Sequence, residues 1–146
     1  MTRSALAILA GIVTLTITSF AIEAAADPLM MHLFPQALPN RAAISHSLPA
    51  TLFLFAYTAL CVAAGGYVTA WLARRSPVLH AVLMGVVQVA LTILAMMSSS
   101  LRNEAPLLNW IGALLFTIPA AWCGGLVRAK AAKNNSPRET PQRAIA

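Results

Sequence analysis

The chain has 146 residues, of which 59% are hydrophobic and only 10% charged, with a formal net charge of +6. A soluble domain carries about 25% charged residues, so this composition excludes an ordinary water-soluble enzyme or binding module. Two cysteines are too few for a disulfide framework.

Four apolar stretches cover residues 4–22, 50–72, 78–97 and 107–127. A hydrocarbon core about 30 Å thick needs roughly 20 helical residues, so each stretch reads as one transmembrane helix. The polar segments between them are too short for a second domain. Residues 1–128 therefore read as one transmembrane domain, an all-α, membrane-embedded four-helix bundle of two helical hairpins.

The first stretch has a rival reading. Arg3, the apolar run and Ala24-Ala25-Ala26 before Asp27 have the form of a signal peptide with an A-x-A cleavage site. The run of about 18 residues exceeds the usual 7–15 of a signal sequence, and Thr14, Thr16 and Thr18 lower its hydrophobicity. The expectation is a retained helix that ends near Glu23. Residues 27–49 then form the longest external segment. Leu29, Met30, Met31, Leu33 and Phe34 are too apolar for a free loop, while Pro28, Pro35 and Pro39 argue against one long helix. The segment is expected to lie broken in the membrane interface.

Prolines mark the next three helix starts: Pro49, Pro77 and Pro106. A first-turn proline forfeits no hydrogen bond, because that N–H has no partner in the helix. Ser47, Ser76 and Asn103 stand where N-caps belong. Only residues 73–76 separate the second and third spans, which forces an antiparallel hairpin. The link 98–105 is also short, so the third and fourth spans are neighbours. Cys61 and Cys123 fall at different depths and read as small packing residues. Pro119 interrupts the fourth span and frees a carbonyl near Leu115. Residues 129–146 are polar, basic and proline-broken, and are expected to form a disordered cytoplasmic tail near anionic headgroups.

The charge follows topology. Arg3, Arg74, Arg75, Arg128, Lys130, Lys133, Arg138 and Arg143 share one side if four helices alternate, and only Arg41 and Arg102 fall on the other. That is the positive-inside pattern, so both termini are expected to be cytoplasmic. No aromatics interleave with the basic tail, which argues against a nucleic-acid partner.

Lipid is as apolar as leucine, so membrane helices associate through close backbone approach and polar contacts. Small residues at three- and four-residue spacing mark such faces. They include Ser4, Ala7, Gly11, Thr14 and Thr18 in the first span, and Ala56, Ala59, Ala63, Gly66, Ala70 and Ala73 in the second. The third carries Ala81, Gly85, Gln88, Thr92 and Ala95, and the fourth Asn109, Ala113, Ala120 and Gly124. Candidate packing residues are Gly65, Gly66, Ala70, Gly85, Gln88, Gly124 and Gly125. The pairs Gly65-Gly66 and Gly124-Gly125 lie 59 residues apart, a faint repeat that suggests two hairpins in the same orientation. These faces serve packing within the bundle or contact with another chain, as a homo- or hetero-oligomer.

Few residues suggest chemistry. Gln88 is the one amide near mid-membrane, suited to an interhelical hydrogen bond or a polar path. Glu23 sits at the outer edge with Asp27 four residues on, where it stays hydrated. His32 and His46, fourteen apart, have no metal-site spacing. Trp71, Trp110 and Trp122 fall near span ends, as interfacial anchors do. His80 follows Arg74, Arg75 and Pro77, so its ring can point back to the basic turn. Arg74, Arg75 and His80 form the candidate contact for an anionic lipid headgroup. The sequence contains no catalytic constellation, so neither an enzyme nor a cofactor is expected.

The run GGYVTAWLARRSPVLHAVLMG (65–85) resembles a family of small, uncharacterised bacterial four-helix membrane proteins. The matching pattern is Gly65, Gly66, Tyr67, Ala70 and Ala73, then Pro77, His80 and Ala81. The upstream IEAAADPLMMHLFP is similar to that family's external segment, and Trp110, Pro119, Gly124 and Gly125 to its fourth helix. Trp71 and Thr58 stand where members often carry basic residues. The resemblance implies a multi-pass protein of a bacterial inner membrane, a retained first helix and no known activity. The leading functional expectation is a membrane protein that acts through helix or lipid contacts; the alternative is a small transporter or channel subunit. Small multidrug transporters also have four short helices, but with a carboxylate well inside the first, where this chain has none.

Overall fold

The computed structural model describes residues 2–39, 41–73, 75–98, 102 and 106–134. Among them lie five helices: α1 (Thr2–Leu33), α2 (Arg41–His46), α3 (Leu48–Leu72), α4 (Pro77–Met97) and α5 (Leu107–Asn134). Four of these are long and apolar enough to cross a bilayer, and no strand occurs among the described residues. The chain is an all-α, multi-pass membrane protein.

Two helices outrun their apolar stretches. α1 does not stop near Glu23 but continues through Pro28 to Leu33. Proline lacks the N–H that would bond to the Ala24 carbonyl. The residues around it, Ala24 to Ala26 and Leu29 to Met31, are good helix formers, so one missing bond does not end the helix. Segment 27–49 thus consists of a helix end, a turn and the short α2, broken as expected but with its first part continuous with α1. In that turn the Phe34 N–H donates to the Met30 carbonyl at 2.9 Å and the Leu38 N–H to the Phe34 carbonyl at 2.8 Å, with Leu38 buried. At 32 residues α1 is about 48 Å long, well beyond a 30 Å core. α5 likewise runs past Val127 to Asn134, so residues 129–134 of the expected tail are helical. Ala129, Ala131 and Ala132 carry the helix where hydropathy has already fallen. Residues 135–146 of that tail lie outside the described residues.

Ser47 and Ser76 do occupy N-cap positions, but neither side chain makes a capping bond. Ser47 is extended and Ser76 left-handed, at φ 49°. Pro49 and Pro77 sit in first turns. Pro106 precedes α5, its carbonyl accepting the Asn109 N–H at 3.0 Å. Asn103 lies outside the described residues.

Around the bundle the order is α1, α3, α5, α4, with α3 and α4 also touching across it. α1 and α5 do not meet among the described residues. The two expected hairpins, α1 with α3 and α4 with α5, are both present as packed pairs. They are not related by a two-fold axis, because α3 touches α4 while α5 does not touch α1. Each long helix gives one residue to the central layer: Leu15, Val62, Met84 and Ala121.

Glycine sets the helix spacing. A Cβ on Gly65 would stand 2.7 Å from the Gly11 carbonyl oxygen, and one on Gly11 would collide with the Thr69 hydroxyl. Between α3 and α5 the contact is reciprocal: Gly66 lies on the Ala121 backbone and Gly124 on the Ala63 backbone. These approaches forbid any side chain, as membrane packing without a hydrophobic driving force requires.

Candidate functional site: a basic cleft at one end of the bundle

The antiparallel order brings the start of α1, the end of α3 and the start of α4 to one end. There a cleft of ≈ 440 Å³ opens between them, lined by Arg3, Ser4, Leu6, Ala7, Leu72, Ala73, Arg75 and His80. Two guanidinium groups and one imidazole thus share a mouth whose walls are Leu6, Ala7 and Leu72. Among the described residues no carboxylate lines it.

The turn that builds this cleft is local. The Ala73 N–H donates to the Thr69 carbonyl at 3.0 Å and closes α3. Ser76 then takes a left-handed conformation, and Pro77 starts α4. The Ser76 carbonyl accepts the His80 backbone N–H at 3.2 Å and the His80 ring Nδ1 at 3.1 Å. A carbonyl can only accept, so Nδ1 carries a proton and Nε2 is the ring atom left for the cleft. Arg3 and Arg75 are exposed, and His80 is half-buried.

Of the three residues read as a headgroup contact, Arg75 and His80 line this cleft. Arg74 lies outside the described residues. Arg3 is the member that sequence reasoning missed, because nothing in a local motif links it to a turn some seventy positions away. Its only signal was topology: alternating helices put residue 3 at the same end.

Among the candidate packing residues, Gly65, Gly66, Ala70, Gly85, Gly124 and Gly125 are buried, and Gln88 is half-buried. Cys61, Gly65 and Thr69 form a second buried stripe on α3, with Gly65 and Thr69 against α1; Gly65 and Cys61 read singly as packing residues, but the stripe was not singled out in the sequence. Its small-xxx-small spacing was the available signal. Cys123 is exposed rather than packed, since its neighbour Gly124 holds the contact position and the next residue back points about 100° away. Both cysteines are free.

At the opposite end the Tyr57 hydroxyl donates to Glu23 Oε1 at 3.2 Å across α3 and α1. Glu23, Asp27 and Met31 border a second, apolar-walled cleft of ≈ 500 Å³. His32 and His46 are exposed, and no group of three metal-ligating side chains occurs among the described residues. No family model, curated protein or solved structure matches the chain.

Proposed function

We propose that this is a bacterial inner-membrane protein whose basic end faces the cytoplasm, and that it holds anionic lipid at the basic cleft without chemistry of its own. One observation carries the reading: Arg3, Arg75 and His80 share a mouth with apolar walls and, among the described residues, no acid. A lipid has that composition in reverse, a phosphate on an apolar stem. The cytoplasmic leaflet is the anionic one, and the positive-inside asymmetry turns this end toward it. The resemblance to small bacterial four-helix membrane proteins supports the choice of membrane.

The test is native mass spectrometry of lipid adducts, comparing the wild type with Arg3→Gln/Arg75→Gln/His80→Ala. The triple variant should lose its preference for anionic over zwitterionic lipid. Unchanged preference would move the site to the basic residues of α5 and the segment after it.

A transporter or channel subunit is the second reading, and the observation in its favour is Gln88. This amide and Thr92, one turn apart on α4, are both half-buried. Labelling of Gln88→Cys by a water-soluble thiol reagent, in a background without Cys61 and Cys123, would favour transport. Protection from the reagent favours packing.

A further inference from the structure

Resting on the reading of the cleft as an anion site, we infer that its ligand is a phosphate monoester, and that His80 selects it over phosphate diesters by sharing one proton with it. The selection follows from how the ring is held. His80 Nδ1–H is tied to the Ser76 carbonyl at 3.1 Å, so Nε2 alone is left for a ligand. Neutral imidazole offers a lone pair there, and the imidazolium offers an N–H. A diester phosphate has only acceptor oxygens near neutrality. It bonds to Nε2 when His80 is charged and meets lone pair against lone pair when it is not.

A monoester behaves differently. Its second ionisation lies at about pH 6, close to that of ordinary imidazole. One proton shared between a phosphate oxygen and Nε2 makes the hydrogen bond whichever atom holds it, and above about pH 6, where the free monoester has lost that proton, the complex takes it up from water. The monoester also presents three terminal oxygens instead of two, enough for His80 and the guanidinium forks of Arg3 and Arg75. Among the described residues no Asp or Glu lines the cleft. Leu6, Ala7 and Leu72 beside these cations suit a monoester that carries acyl chains, and a soluble monoester shares the same phosphate chemistry.

The experiment uses the full chain in detergent micelles, with phosphatidic acid, phosphatidylglycerol and phosphatidylethanolamine titrated by native mass spectrometry at about pH 6 and about pH 7.5. Phosphatidic acid should bind more tightly than phosphatidylglycerol, by roughly tenfold at the higher pH, as one charge-assisted hydrogen bond implies. The gap should narrow at the lower pH. His80→Gln should abolish the pH dependence of the ratio, and Arg75→Gln should weaken both lipids together. If His80→Gln keeps the same pH-dependent ratio, the lipid's own ionisation is responsible and the inference fails. Equal affinity for the two anionic lipids, both weakened by Arg75→Gln, overturns the monoester while leaving the anion site. No anionic preference over phosphatidylethanolamine overturns both. Glycerol 3-phosphate separates the sources: displacement of phosphatidic acid at equal concentration supports a soluble monoester, and weak displacement supports the lipid.

Discussion

At Gly66 the backbone of α3 lies directly on that of α5, and the same is true in reverse at Gly124. Replacing Gly66 by alanine places a methyl against the Ala121 carbonyl, which is backbone and has little room to move. Gly66→Ala should therefore lower stability by about 1–3 kcal/mol, the usual cost of overpacking. Leu94, 65% exposed, should tolerate alanine at far smaller cost. Thermal unfolding in detergent compares the two, and equal midpoints would contradict the contact. Threonine gives the complementary lesson. Thr14, Thr16, Thr18, Thr69, Thr92 and Thr117 each donate the hydroxyl to a carbonyl one turn back. Each hydroxyl is satisfied inside its own helix, so even exposed Thr16 brings no unmet donor to the lipid. In the sequence these residues only lower a hydropathy sum. Whether a small residue faces a neighbour or the lipid was also illegible at single positions, as Cys123 beside Gly124 demonstrates.

Among the elements, the middles of the spans were legible and the ends were not. Apolar length alone gives four crossings, because the bilayer sets a minimum that few other structures meet. Ends depend on local helix preference and on what packs against the last turns. Pro28 reads as a stop, yet alanine before it and leucine and methionine after it carry α1 to Leu33. Val127 reads as an end, yet alanine carries α5 to Asn134. α1 is the element whose membership the sequence left most open, since its start imitates a signal peptide. It packs on α3 and α4, and the buried residues Ala7, Gly11 and Leu15 form its inner face. A chain beginning at Asp27 should leave Gly65 and Thr69 facing lipid or solvent with no neighbour. Size-exclusion chromatography of that truncated chain should show aggregation or non-native association. A monodisperse product of wild-type stability would mean that α1 is dispensable.

Over the whole molecule, charge and packing point the same way. The bundle collects Arg3, Arg75 and His80 at the end where α1 and α4 begin, and α5 ends there with Arg128, Lys130 and Lys133. The opposite end holds the Tyr57–Glu23 hydrogen bond and Asp27. The cleft itself was half legible: the turn and His80 could be read locally, but Arg3 joins them only through the antiparallel fold. The whole account depends on this basic end meeting the anionic leaflet. The direct measurement is labelling of intact cells with a membrane-impermeant thiol reagent, after both native cysteines are replaced. Ser76→Cys probes the turn between α3 and α4, and Ala37→Cys the turn after α1, both exposed positions. The account predicts labelling at position 37 and none at position 76 until the cells are opened. Labelling of position 76 on intact cells, with position 37 protected, would invert the protein and contradict it.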